Sequence, residues 1–523
     1  MHAALVGLGI LLSRILGLVR ESLKARYLGT GLAADAFTAA FRIPNMLNNL
    51  FGEGALSASF IPVYSNLLAR GDSREADRVA GAVGALLALV TAVLVLLGVL
   101  FAPAIVYVVA AGFEGERREL TIQLTRILFP GAALFVMSAW CLGVLNSHRR
   151  FLLSYAAPVV WNAALIAALV IYRDAAAPHI ANRLAWASVV GALLQFIVQL
   201  PVVVRVAPHV RANLGRGNDA VRRVLRNFTP AFFARGVVQI SNYIDQFIAS
   251  FLGVGPVSLL FYAQTIAILP VSLFGMAVSA SELPEMSSAT GTTQQVADHI
   301  RGRLSSGLRR VAFLVIPSAA AFAVLGDVIV AALFQSGRFT AADTRFTWAI
   351  LAAAAVGLLA TTLGRLYSSA YYALGDAQTP LRFAIVRVVL ASIIGYFAAL
   401  HVPQLLGINR EWGAALLTLS SGIVGWIEFI LLRRGINARV GRSAPAARLL
   451  VTLWGAALVA AGAAYYSRRL VDDAHRFVVA IVVLGTFGAL YLGITTALGV
   501  PEVRDLVRRV TRRAGKNEGK GAG

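Results

Sequence analysis

The chain keeps returning to apolar runs too long for a soluble core. "GALLALVTAVLVLLGVLFAPAIVYVVAAG" and "FVVAIVVLGTFGALYLGITTALGV" contain no charged residue. A helix of about twenty such residues crosses the roughly 30 Å hydrocarbon layer of a bilayer. In that layer only helices and closed barrels satisfy every backbone N–H and C=O. A barrel would read as short strands alternating apolar and polar residues, which these runs do not. The expected fold is therefore an all-α polytopic membrane protein. Composition agrees: 58% of the 523 residues are hydrophobic and 14% charged, against about a quarter charged in a soluble protein. The mean hydropathy is +0.74.

Charged or Pro/Gly-rich breaks divide the runs into about fourteen transmembrane helices. They are expected at 2–20, 32–52, 79–111, 121–146, 155–173, 184–206, 226–252, 257–283, 309–335, 346–374, 381–401, 412–433, 447–466 and 475–499. The net charge of +22 would point to nucleic acid in a soluble chain. Here the basic residues sit between apolar runs, as the positive-inside rule requires, and no nucleic-acid module is present. Alternate connections carry roughly 28 Lys and Arg on the side of the C-terminal tail and roughly 13 on the other. Both termini are thus expected in the cytoplasm, which an even number of spans demands. The basic tail, 501–523, is expected to face anionic lipid. The start, "MHAALVGLGILL", has no basic n-region and is followed by arginines, so it reads as a retained first helix. The single cysteine, Cys141, excludes an internal disulfide and a cysteine metal cluster.

A weak internal repeat runs through the chain. "AAGFEGERRELTIQLTRILFPGAAL" has a counterpart in "LFQSGRFTAADTRFTWAILAAAAVG", and "GVLNSHRRF" is echoed by "YALGDAQTP". Repeats in a transporter imply two bundles flanking a central site, rocking for alternating access. The division expected is an N-terminal lobe over 1–215, a C-terminal lobe over 216–440, and two additional helices over 441–500.

Charges inside the spans are the next constraint. "SRILGLVRESLKARYLGTG" carries Arg14, Arg20, Lys24 and Arg26, with Glu21 among them. Each cation at mid-membrane costs about 2.5–3.5 kcal/mol on insertion scales. Residues 13, 17, 20 and 24 share a helix face, a polar stripe directed away from lipid. Lys24 and Arg26, near the far end, could instead snorkel to the interface. In the second span Asp35 and Arg42 lie seven apart, Glu53 follows, and Pro44 with Gly52 and Gly54 predicts a kink or break. A broken helix beside polar residues lines cavities in transporters. The plainer reading is a Pro-kinked helix whose Asp35 and Arg42 pair with other helices. Further intramembrane charges are Arg126, Arg235, Asp245, Glu282, Arg365, Arg387 and Glu428. Arg365 has Thr361, Thr362 and Ser368 nearby. Asp245 is a candidate monovalent-cation site, or one member of a buried hydrogen-bond network.

A cavity with several cations takes an anion, and arginine offers bidentate geometry to phosphate or carboxylate. No phosphate loop ending in Lys-Ser/Thr appears, and no catalytic constellation stands out. The chain is expected to be a transporter and not an enzyme.

With these residues in view, the chain resembles the MurJ (MviN) lipid II flippases, of the multidrug/oligosaccharidyl-lipid/polysaccharide exporter superfamily. The resemblance rests on "SRILGLVRESLKARYLGTGLAADAFTAAFRIPNMLNNLFGEGALSASFIPVY", "YAQTIAILPVSLFGMAVS" and "LFQSGRFTAADT", and covers nearly the whole chain. It implies two six-helix lobes around a central cationic cavity plus two C-terminal helices. It implies a role in peptidoglycan biosynthesis: undecaprenyl-diphosphate-linked lipid II moves from the inner to the outer leaflet of the bacterial cytoplasmic membrane. The implied partners are lipid II and membrane lipids, with no cofactor; the protein would work as a monomer near cell-wall synthesis proteins. Arg14, Arg20 and Asp35 match positions important in the family. Glu21 takes the place of a usual Asp, Glu53 occupies the acidic position, and Arg365 matches a basic position in the tenth span. Two departures stand out. Asn48 and Thr265 replace expected arginines, so Arg42 or Arg235 takes over their share or the substrate differs. The alternatives are export of another polyprenyl-diphosphate-linked glycan and a non-transporting envelope-synthesis scaffold.

Overall fold

In lipid a backbone finds partners only within itself, so the apolar runs propagate as uninterrupted helix until a turn residue reaches water. The computed structural model describes residues 2–471 and 473–503. Most of the expected basic tail, from 504 onward, lies outside the described residues.

The chain begins with α1 (His2–Leu28), α2 (Leu32–Leu47), a π-helical segment (Asn48–Gly54) and α3 (Ala55–Ala69). There follow α4 (Ser73–Leu100), α5 (Ala102–Val109), α6 (Gly115–Ser147), α7 (Phe151–Ile171), α8 (Ala177–Val206) and α9 (Asp219–Ser250). Next come α10 (Pro256–Pro270), a second π-helical segment (Val271–Met276), α11 (Ala277–Ser287), α12 (Thr293–Val324) and α13 (Gly326–Phe334). The remainder is α14 (Ala341–Ala373), α15 (Gln378–Leu400), α16 (Val402–Leu405), α17 (Gly413–Val440), α18 (Ala447–Ser467) and α19 (Arg476–Ala497). Among the described residues, helices joined end to end make fourteen rods, and each expected span falls on one of them. Eleven helices among the described residues are long and apolar enough to cross a membrane by length and composition.

Most boundaries shift by a few residues, and three differ from expectation by eight or more. The first span continues to Leu28, so Lys24 and Arg26 are still helical. The second runs on through the π segment to Ala69. The ninth starts at Thr293, where Thr292 and Gln295 form a capping box. The first and ninth extensions are polar, and hydropathy registers only the apolar part of a rod; the second is largely apolar and lies past the Pro44 break where the span was expected to end.

Both π segments follow a proline, Pro44 and Pro270. Proline lacks an N–H and crowds the preceding turn, and a wider turn absorbs that misfit. The predicted break at Pro44 is therefore a change of helix type rather than a gap. The residues around the two segments also match one repeat apart: "LFGEGALSASFIP" from Leu50 and "LFGMAVSASELP" from Leu273.

Two compact units emerge. The first holds residues up to Ser258 together with Ser336–Thr340. Its core has one cluster around Phe60, Tyr64, Val83, Trp140 and Val144, and another around Phe37, Leu124, Leu128 and Leu184. The Trp140 indole N–H donates to Ala80 O at 3.0 Å. The second unit holds Leu259–Gln335 and the chain from Ala341 onward. There α14 and α17 cross closely at Gly357 and Gly422, where a Cβ on Gly357 would fall 2.5 Å from Gly422 Cα. Small residues let membrane helices approach in this way.

Candidate functional site

In the first unit the α1 cations gather on one carboxylate. Arg20 Nε and Nη2 donate to Glu21 Oε1 at 3.1 and 2.6 Å. Lys24 Nζ lies 2.5 Å from Glu21 Oε2. Lys24 is only 4% exposed, so it does not snorkel to an interface. Two cations, Lys24 buried and Arg20 half-buried, thus meet at one carboxylate. Arg20 is held further by α7: Nη1 donates to Asn162 Oδ1 at 3.0 Å, and the guanidinium lies 4.5 Å over the Trp161 ring. Trp161 stacks in turn on Phe41 of α2 at 5.9 Å. A guanidinium fixed on an aromatic face and an amide keeps its remaining N–H groups for an anion. Sequence reading missed Trp161 and Asn162, because an aromatic or a lone amide in an apolar span carries no signal by itself.

Arg14 and Arg26 are placed differently. Arg14 is exposed and forms no ion pair with the described residues. Arg26 is exposed at the end of α1, 5.7 Å over the Tyr27 ring.

Asp35 is fully buried and its oxygens are occupied. Oδ2 accepts from Gly255 N at 2.7 Å and Oδ1 from Ser258 N at 2.8 Å. Arg117 Nη1 lies 3.5 Å from Oδ2. A carboxylate on the free N–H groups of a helix start is a cap with favourable dipole interaction. Asp35 thus anchors the beginning of α10, as the plainer reading of its charge anticipated, and does not stand open to a headgroup. Arg117 was another residue missed by sequence reading.

Arg42 is half-buried, and its carbonyl accepts from Tyr243 Oη at 2.9 Å. Its charge interacts with that of Asp245. Among the described residues no group of three His, Cys, Asp or Glu could hold a metal ion. Asn48 opens the first π segment. The side chains of Glu53 and Arg235 lie outside the described residues.

In the second unit Arg365 of α14 is exposed and interacts electrostatically with Arg387 and Glu428. Arg387 Nη1 lies 3.3 Å from Glu428 Oε2. Again two arginines share one glutamate. The threonines beside Arg365 are turned to their own helix: Thr361 donates to Gly357 O, and Thr362 to Leu358 O at 2.6 Å. Thr265 does the same, donating to Phe261 O at 2.9 Å. Glu282 is 1% exposed and sits 3.0 Å from Arg303 and 3.1 Å from Arg310.

Comparison with known proteins bears on this arrangement. Residues 24–488 match the family model described as Lipid II flippase MurJ. The chain is 34% identical over 507 residues to the lipid II flippase MurJ of Burkholderia cenocepacia, covering 94% of this chain and 95% of that protein. It is 32% identical over 442 residues to the probable lipid II flippase MurJ of Vibrio cholerae, covering 82% and 81%. Among solved structures it resembles "Lipid II flippase MurJ, inward closed conformation" with a TM-score of 0.76 at 23% identity, covering 96% of this chain and 100% of that one. An inward-facing multidrug resistance MATE family transporter of the MOP superfamily gives 0.66 at 17% identity, covering 83% and 96%.

Proposed function

Because the chain belongs to the lipid II flippase MurJ family, we propose that it carries lipid II from the inner to the outer leaflet of a bacterial cytoplasmic membrane by alternating access. The observation that carries this reading is the α1 cluster. Half-buried Arg20 and buried Lys24 converge on Glu21, with Arg20 backed by Trp161 and Asn162. Cations held away from water are costly unless anions meet them there. A diphosphate supplies such an anion, and arginine meets phosphate oxygens in pairs. The Arg365, Arg387 and Glu428 group supplies a second basic position.

The protein does this as a monomer with both termini cytoplasmic, as a transporter and not an enzyme. The membrane potential drives the cycle. Each negative charge moved outward gains about 2.3 kcal/mol per 100 mV when the inside is negative. Asp245 would couple a monovalent cation only if its charge were freed from Arg42.

The deciding experiment is reconstitution of the full chain in vesicles with lipid II, following its appearance in the outer leaflet with and without an imposed potential. Transport that responds to the potential and disappears in Arg20→Ala supports the reading; absence of transport by the wild-type chain would end it. A second substrate belongs in the same assay. Asn48 and Thr265 are uncharged, and the Thr265 hydroxyl is spent on its own helix. Export of another undecaprenyl-diphosphate glycan in preference to lipid II would establish the alternative.

A further inference from the structure

The loops that carry the repeated Gly-Phe and Gly-Arg-Phe signatures take no part in the basic clusters. Each is instead docked on the C-terminal end of a helix, and the two helices, α1 and α9, stand one repeat apart.

The loop between α13 and α14 grips the end of α1. Arg338 N donates to Arg26 O at 2.8 Å, Nη1 to Tyr27 O at 3.0 Å, and Nη2 to Ala175 O at 3.0 Å. Gly29 (φ +65°) and Gly337 (φ +58°) permit the approach. A Cβ on Gly29 would lie 2.8 Å from Arg338 O, and both glycines adopt backbone angles that other residues avoid.

The loop before α6 grips the end of α9 in the same manner. Gly112 N donates to Ser250 Oγ at 3.0 Å, and a Cβ on Gly112 would lie 2.5 Å from Ser250 C. Arg117 donates to Gly253 O, to Gly112 O at 2.9 Å and to Ser250 O at 3.5 Å, with its guanidinium 4.0 Å over Phe113. All these residues lie within the first unit.

The last carbonyls of a helix have no partner inside it and carry the negative end of its dipole. The Arg117 guanidinium meets Ser250 O and Gly253 O at the end of α9, the Arg338 guanidinium ties Tyr27 O of α1 to Ala175 O ahead of α8, and each brings the opposite charge. The arrangement is reciprocal: a loop of the first repeat holds the first helix of the second, and a loop of the second holds the first helix of the first. With both termini cytoplasmic, α1 and α9 end on the same, outer side of the membrane.

We propose that Arg117 and Arg338 are paired latches on the outer side, and that release of one loosens the other, so that this side opens only when both let go. The proposal rests on the alternating-access reading above, but its test needs no substrate.

The chain has one cysteine, Cys141, which is buried. Leu252→Cys and Leu28→Cys place reporter thiols beneath the two latches, where the native residues are 2% and 3% exposed. The full chain in lipid nanodiscs is treated with a membrane-impermeant maleimide, with and without Arg117→Ala or Arg338→Ala. Loss of hydrogen bonds to a charged group shifts an opening equilibrium about tenfold or more. Each arginine change is therefore expected to speed labelling at both reporters by about that factor. Faster labelling only at the reporter beneath the altered arginine would make these residues separate helix caps and overturn the proposal. Unchanged labelling at both would overturn it too. Arg117→Lys and Arg338→Lys retain the charge but cannot span the carbonyls. They should speed both reporters by a smaller factor, and they keep the test decisive if an alanine variant does not accumulate. A chain that failed to transport lipid II would leave the labelling result standing, so the two readings fail separately.

Discussion

The rods containing the two π segments begin alike and then diverge. Each has a proline, a widened turn and the same Leu-Phe-Gly start. Beyond the turn the first rod buries Phe60 and Tyr64 in an apolar cluster. At the position matching Phe60 the second rod buries Glu282 between Arg303 and Arg310. The helices that open the repeats also differ. α1 bears Arg20, Glu21 and Lys24, whereas α9 bears Tyr243 and Asp245 on the matching stretch. The proline and widened turn are thus duplicated in these rods, while the charges along them and along α1 and α9 are not. The duplicated parts shape the fold, and the unduplicated charges separate into two kinds. Glu282 is matched by more cation than it needs and lies closed in a helix packing. The α1 cluster keeps unspent donors on a guanidinium that an aromatic face holds in place.

That contrast can be broken most sharply at Glu282. Glu282→Ala leaves two partly exposed arginines without their carboxylate, so the cost stays below the about 3–5 kcal/mol of breaking a fully buried pair. The expected result is a clear fall in thermal stability of the purified protein. Loss of transport with unchanged stability would place Glu282 in the transport machinery and erase the distinction. Arg20→Ala should do the reverse. Loss of a buried charge pair to a ligand costs about 2–5 kcal/mol, so lipid II transport in vesicles should fall at least about thirtyfold while the melting temperature moves little. Trp161→Ala comes next. A cation over an aromatic ring contributes about 0.5–2 kcal/mol, so the apparent affinity for lipid II should weaken by roughly two- to thirtyfold, with Trp161→Phe recovering most of it.

The smallest effect concerns Asp376, in the turn before α15. It accepts from Thr379 N at 3.0 Å and Thr379 Oγ1 at 2.7 Å, and Arg439 lies 2.8 Å away. These bonds, the Thr379 backbone first, push the carboxyl down to about 2. An unfolded aspartate titrates near 3.9. The stabilisation is therefore complete above about pH 4 and fades as the pH falls toward 2. Asp376→Asn should lower the melting temperature slightly at pH 7, by the same amount at pH 6, and by nothing near pH 2. A difference that grew between pH 6 and 8 would assign the titration to another group.

Much of this architecture could be read from residue order alone, and the reasons are physical. An apolar run of bilayer length has few alternatives to helix, so every rod was anticipated. Rod ends were not, because Thr292 and Gln295 fix the start of α12 through capping bonds that hydropathy does not register. The cations of α1 were visible because charge in an apolar run is costly. Their supports were not visible: Trp161 and Asn162 act across helices, and that neighbourhood exists only after folding. Asp35 shows where the spacing was ambiguous. Its charge marked it for a ligand, yet its oxygens meet the backbone at the start of α10. An acidic residue is equally suited to a ligand's cation and to a helix start, and sequence spacing does not tell them apart.

The π segments have one more consequence, which concerns phase. A π turn holds about one residue more than an α turn. Everything beyond it is therefore rotated by about 100° per added residue relative to a continuous α-helix. Phe60 and Tyr64 face the core because Asn48–Gly54 supplies that rotation. The segment is a counting device: remove one residue from it, touching no core side chain, and the following rod would present a different face to its neighbours.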